Sequence, residues 1–136
     1  MLAIPKRHME QIQRHVREVF PMEACGVLAG RDELVTKVYP MINTDRSAYS
    51  YFMDPADQLR VTRDARKQGL SLLAIYHSHI ASEAYPSERD CELAFYPDLD
   101  YMIISLAHLN RPVARAFRIR NGLITEEKFR IVRNGR

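Results

Sequence analysis

Leu72-Leu73-Ala74-Ile75-Tyr76-His77-Ser78-His79 opens as an apolar, β-prone run and closes on two histidines separated by one serine. Side chains two apart on a strand share a face, so a strand through this run aims both imidazoles at one place. After His79, seven residues containing Pro86 read as a loop. Ser87-Glu88-Arg89-Asp90-Cys91-Glu92-Leu93-Ala94-Phe95 then reads as a short helix opened by a serine cap. Residues three apart on a helix lie on one face, which turns Ser87 and Asp90 together toward the strand end.

Two histidines and an aspartate offer three ligands to a tetrahedral metal and leave the fourth position to water, which separates catalytic zinc sites from closed structural ones. Zinc lowers the pKa of its bound water to about 7 and polarises a carbonyl oxygen, so the set suits hydrolysis at neutral pH. Neither half of the pattern suffices alone. His-x-His is common, and Ser87-x-x-Asp90 also fits a capping box in which Ser87 receives helix amides and Asp90 favours the positive helix end. It is the coincidence of strand, paired histidines, loop and capped helix that points to a catalytic metal at His77, His79 and Asp90.

His77-Ser78-His79-x7-Ser87-x2-Asp90, together with Glu23 in Pro21-Met22-Glu23-Ala24-Cys25-Gly26-Val27-Leu28, resembles the JAMM/MPN+ zinc metallopeptidases of the small prokaryotic type. The likeness spans nearly the whole chain, through Asn43-Thr44-Asp45, Phe52-Met53-Asp54-Pro55 and Val113 to Ile119. It implies a three-layer α/β sandwich around a mixed β-sheet, an architecture shared with cytidine deaminases. It also implies zinc on His77, His79 and Asp90, Glu23 as general base, and Ser87 steadying the attacking water or the oxyanion. On position alone, Glu23 also reads as a surface residue following the first helix. Many relatives carry proline after the second histidine; Ile80 stands there instead, which changes the loop's rigidity and removes no ligand.

The resemblance further implies a peptidase or isopeptidase whose partner is the C-terminal tail of a ubiquitin-like protein. The compact layout favours trimming or release of a sulfur carrier at its diglycine end. The tail could dock as an added strand on an exposed sheet edge. A deubiquitinase-like isopeptidase and a noncatalytic MPN scaffold are the alternatives, the second disfavoured by the complete ligand set. A zinc nucleoside deaminase needs His-x-Glu and Pro-Cys-x-x-Cys, which are absent, as are His-Glu-x-x-His and Gly-x-Ser-x-Gly.

Composition bounds the remainder. With 136 residues, 46% of them hydrophobic, the chain fits one domain, residues 1–136, with an ordinary core. No apolar stretch reaches membrane-spanning length and no signal-type segment follows Met1, so a soluble cytoplasmic protein is expected. Cys25 and Cys91 form no CxxC pair and read as reduced packing residues. The net charge of +3 is spread among seventeen acids, so Arg60, Arg63 and Lys67 on one helix face read as a solvated surface rather than a nucleic-acid site. His8 and His15 are expected to be exposed and His108 to sit in a loop, none with a partner at ligand spacing. Tyr76, Tyr85, Tyr96 and Tyr101 read as core packing.

The element order follows from periodicity and punctuation. Ile4, Met9, Ile12, Val16 and Phe20 give helical spacing over Pro5 to Phe20, closed by Pro21. Strands are expected at 24–30 and 33–40 about a Gly30-Arg31-Asp32 turn, followed by a polar loop from Met41 to Ala48 and a short strand from Tyr49 to Met53. Asp54 caps a second helix with Pro55 in its first turn and Leu59, Val61, Ala65 and Leu70 along it, ended by Gly69. After the Ser87 helix come a buried strand at 101–106 and a terminal hairpin, Val113 to Ile119 with Leu123 to Val132, about Asn121-Gly122.

Overall fold

The computed structural model of the protein describes residues 1–134, so the last two positions of the expected domain lie outside the described residues. The chain opens with strand β1 (Leu2–Pro5) and helix α1 (Lys6–Glu18), then strands β2 (Cys25–Arg31) and β3 (Leu34–Met41). Helix α2 (Pro55–Lys67), strand β4 (Ser71–His79) and the short helix α3 (Glu88–Glu92) follow. Strands β5 (Asp100–Ser105), β6 (Val113–Arg120), β7 (Leu123–Glu127) and β8 (Phe129–Val132) complete it. Among the described residues the strands form one mixed sheet in the order β7-β6-β5-β4-β2-β3-β1-β8.

Period-2 alternation sorts the sheet's side chains into two cores. On one face Met9, Ile12 and Val16 of α1 join Leu28, Val38, Ala74, Tyr76, Met102 and Ile104. On the other, Val61 and Ala65 of α2 join Val27, Ile75, Tyr101, Ile103 and Phe117. This is the three-layer α/β sandwich expected. Strand β4 lies in the middle, antiparallel to β2 and parallel to β5, with Cys25 opposite His77 and His79 opposite Ser105. Tyr76 has no exposed surface; a Cβ on Gly26 across from it would overlap its ring, so only glycine fits there.

The α2 start matches its reading: Asp54 accepts from the Ala56 amide and Pro55 occupies the first turn, with Gly69 beyond the end at φ +73°. Other expectations need correction. Pro5 ends β1 rather than opening the helix, because Leu2 to Pro5 pairs in parallel with β8, a partner far along the chain. The first hairpin turns at Asp32 and Glu33, both at positive φ, about one residue later than the Gly30-Arg31-Asp32 turn expected. Gly30 instead sits at a register shift between β2 and β3, with Thr36 of β3 the extra residue, and a Cβ on it would strike the Leu34 carbonyl.

Tyr49 to Met53 forms no strand. Burial alternates only over its second half, where Tyr51 and Met53 are buried while Tyr49, on the same parity, is exposed, and the Phe52 amide and the Ser50 carbonyl bond to the Asn43 side chain instead of a neighbouring strand. The terminal segment is divided. Leu123 to Glu127 pairs with β6 about the Asn121-Gly122 turn, whereas Phe129 to Val132 pairs with β1 at the opposite edge. Since only Lys128 separates the two strands, the sheet curls until its edges meet at one segment. Leu59 and Phe20, expected on apolar faces, are exposed.

Candidate metal centre

Strand β4 delivers His77 and His79 on the α2 face of the sheet, 1% and 3% exposed. Helix α3 brings Asp90, 4% exposed, against them. The Asp90 Oδ2 lies 3.1 Å from His77 Nε2 and 2.9 Å from His79 Nε2, and the two Nε2 atoms are 3.2 Å apart. Tetrahedral bonds of about 2.0 Å to zinc place neighbouring donors about 3.3 Å apart, so the triangle has the size of one face of such a tetrahedron.

The donor chemistry agrees. His79 Nδ1 lies 2.8 Å from the Glu83 carbonyl; donating its proton there leaves the Nε2 lone pair directed at Asp90. Burial pushes the Asp90 carboxyl up, but its bonds with His77 and His79 outweigh that and hold it well below the usual carboxylate range. Burial lowers His77, keeping it neutral and able to donate a lone pair. Burial also pulls His79 down, but Asp90 and the Glu83 carbonyl overcome it and leave the ring above its ordinary value. An anionic oxygen and imidazole nitrogens pressed together away from water favour a positive charge between them, which a proton or a metal ion can supply. Tyr51 stacks on His77 with ring centroids 4.5 Å apart, orienting a ring whose buried Nδ1 has no hydrogen-bond partner.

Ser87 caps α3 in a full capping box: its Oγ accepts from the Asp90 amide at 3.1 Å, and its own amide donates to Asp90 Oδ2 at 2.9 Å. The structural and functional readings of Ser-x-x-Asp therefore coexist, since the cap orients the carboxylate that faces the histidines. Accepting one bond leaves the hydroxyl proton of Ser87 free to donate.

Continuing the β2–β4 register two residues past Cys25 and His77 sets Glu23 opposite His79. Glu23 is 4% exposed and its Oε1 is buried without a partner. Burial, with smaller contributions from Asp90 and Asp45 and against the pull of His79, pushes its carboxyl up to about 8. A cleft of about 310 Å³ brings Glu23, His79 and Ser87 into one lining, walled by Ala48, Tyr49 and Ile80. A second cavity of about 440 Å³ borders Glu23 on the α1 side between His15, Met22, Ile42 and Arg46, and none of the three donors lines it.

Three residues escaped the sequence reading of the site. Tyr51 gave no signal beyond alternation; Asn43 and Ser78 stood inside motif segments but carried no assigned role. Ser78, fully buried, accepts from the Ala24 amide at 2.8 Å. The histidines outside the motif stay apart from the centre, yet His8 and His15 are half-buried rather than exposed, and His15 Nδ1 lies 2.7 Å from the Tyr76 hydroxyl. Tyr76 and Tyr101 pack in the core, whereas Tyr85 and Tyr96 are exposed. Both cysteines are free, Cys25 buried and Cys91 partly so.

Residues 5–120 match the family of prokaryotic homologues of the JAB domain. The CysO-cysteine peptidase of Mycobacterium tuberculosis is 41% identical over 120 residues, 87% of this chain and 82% of that protein. A probable TtuB-protein conjugate cleaving protease of Thermus thermophilus is 39% identical over 95 residues, 69% of this chain and 64% of that protein. A Desulfitobacterium hafniense protein solved in solution superposes with a TM-score of 0.90 at 40% identity, covering 98% of this chain and 94% of that one. With the paired histidines, the aspartate and the sandwich in place, the chain belongs to the prokaryotic JAB branch of the JAMM/MPN family.

Proposed function

We propose that the protein is a zinc-dependent peptidase that hydrolyses an amide bond at the C-terminus of a ubiquitin-like sulfur-carrier protein. His77, His79 and Asp90 hold the metal, Glu23 is the general base and Ser87 an oxyanion or water donor. The observation that carries this reading is the convergence of three donor atoms within 4.8 Å of one another beside a buried, unpartnered carboxylate. A carrier-tail substrate accords with the substrates named for the Mycobacterium and Thermus relatives.

The chemistry that bound zinc supplies is Lewis acidity, which polarises a carbonyl and acidifies water. The protein's own groups do the rest. Glu23, with no internal hydrogen bond at Oε1, takes a proton from the attacking water and returns it to the leaving nitrogen. The rise to about 8 makes the protonated form accessible after the first transfer, and a cation held by the three donors would favour the carboxylate that the first transfer needs. Ser87 donates its hydroxyl proton toward the oxygen that gains charge. Ala48, Tyr49 and Ile80 line the cleft through which an extended tail reaches Glu23.

We further read residues 1–136 as one working domain and place it in the cytoplasm, a reading supported by the two unpaired thiols. Among the described residues no helix is long and apolar enough to cross a membrane.

The test is incubation of the zinc-loaded protein with a ubiquitin-like carrier extended by one residue beyond its diglycine end, followed by mass spectrometry. Trimming that chelation abolishes and zinc restores is the expected result; an intact carrier under all conditions overturns it. The second reading, an isopeptidase, is favoured by the conjugate-cleaving relative. It predicts release of carrier from lysine conjugates with no trimming of the extended form.

A further inference from the structure

The carboxylate of Glu23 has no hydrogen bond to hold it at Oε1, yet the proposed chemistry needs it at a fixed place. Its backbone is held instead, at every polar group of two consecutive residues. The Glu23 amide donates to the Ser47 carbonyl at 2.8 Å, and the Glu23 carbonyl accepts from Asn43 Nδ2 at 3.0 Å. The Ala24 amide donates to Ser78 Oγ at 2.8 Å, and the Ala24 carbonyl accepts from the Ser78 amide at 3.0 Å.

We infer that Asn43 and Ser78 are positioning residues that clamp Glu23 through its main chain, so that the carboxylate is placed while its oxygens stay free for water. This rests on the base role proposed above for Glu23. The two arms come from opposite sides. Ser78 sits between the two metal-site histidines of β4, so the clamp ties the base to the strand that carries the ligands. Asn43 comes from the loop after β3 and works with both ends of its amide. Its Nδ2 also donates to the Ser50 carbonyl at 3.0 Å, and its Oδ1 accepts from the Asp45 and Phe52 amides at 3.0 and 3.1 Å. That loop carries Ala48 and Tyr49 of the cleft wall and Tyr51, stacked on His77. One side chain thus sets the base, the cleft wall and a ring that orients a ligand. A serine hydroxyl at 78 is required because a buried amide left without an acceptor is costly, and an apolar residue offers none.

The experiment uses zinc-loaded wild type, Asn43→Ala, Asn43→Asp and Ser78→Ala, with Glu23→Gln alone and combined with each. The aspartate variant keeps the acceptor side and loses the donor, and serves if the alanine variant fails to fold. Hydrogen exchange of individual amides needs no substrate. Exchange is expected to accelerate at least about tenfold at Glu23 in both Asn43 variants, because its amide partner Ser47 lies in the loop that Asn43 fixes, at Asp45 and Phe52 in Asn43→Ala, which removes their acceptor, and at Ala24 in Ser78→Ala, with Ala29 unchanged. Unchanged exchange at Glu23 and Ala24 overturns the clamp. On the extended carrier, kcat is expected to fall about 10- to 100-fold with KM within about threefold and zinc content unchanged. In the Glu23→Gln background the same substitutions should cost less than about twofold, because they act through a group already removed. A full multiplicative loss in that background, or a rise in KM alone, assigns them a general structural role and refutes the proposal. If wild type turns over no carrier, the peptidase reading fails and amide exchange alone decides the clamp.

Discussion

Glu23 and Asp90, in the roles proposed for them, each give a measurable consequence. Glu23→Gln is expected to retain zinc and lose turnover by at least about 100-fold, checked by metal content and steady-state rates, because the amide cannot accept the proton. In the metal-free protein the same substitution should stabilise the fold at high pH only. The carboxyl is raised from 4.5 to about 8, so its contribution is fully present below the unfolded value and is lost as pH rises through about 8. Denaturant titrations should therefore show Glu23→Gln more stable than wild type at pH 9 by on the order of 5 kcal/mol, and no more stable at pH 4. A gain that does not depend on pH would contradict the burial account. Asp90→Asn should weaken zinc by more than about 100-fold in competition with a chelator, since it removes a proposed ligand and the anion facing two imidazoles. The triad was legible in the chain because its spacing on a strand and a helix is periodic. Glu23 was legible only through resemblance, because nothing local says that a glutamate after a helix is buried.

At the scale of elements, α3 shows how short structure serves chemistry. It spans only Glu88–Glu92, shorter than the reading to Phe95, and its capping box holds Asp90 by both an accepted and a donated bond. Ser87→Ala should cost about 1 kcal/mol in thermal or denaturant stability through the lost cap and lower zinc affinity as well; normal affinity would separate cap from centre. The β2–β3 hairpin shows the opposite case, in which local chemistry misled. Glycine suggests a turn, yet here Gly30 serves a bulge with a backbone carbonyl against its α-carbon, while Asp32 and Glu33 take the left-handed conformations. Gly30→Ala should lower stability by about 1–3 kcal/mol although the turn lies elsewhere. The supposed strand at Tyr49 to Met53 failed for a related reason: burial of Tyr51 and Met53 reports a core beneath them, not a neighbouring strand to bond with.

For the whole molecule, the sheet's two edges meet in one segment, and β8 covers β1. Truncation after Lys128 should expose the edge of β1, lower the melting temperature and promote self-association visible by light scattering. A chain that stays monomeric and equally stable would show β8 to be dispensable. Zinc should stabilise the native state by mass action, about 2.7 kcal/mol at a free concentration one hundred times Kd, so chelation is expected to lower the melting temperature of wild type and leave Asp90→Asn nearly unmoved. By itself the sequence determined the strand that carries both histidines, the capped helices, the Asn121-Gly122 turn and the layered α/β class, because periodicity, caps and left-handed turn residues act over a few positions. Only the tertiary structure decided that Leu2 to Pro5 is a strand, that Leu123 to Val132 divides between two edges, and that Glu23 lies buried opposite His79 in the grip of Asn43 and Ser78. Those outcomes depend on partners tens of residues distant, whose hydrogen bonds and exclusion of water exist only once the sheet has closed.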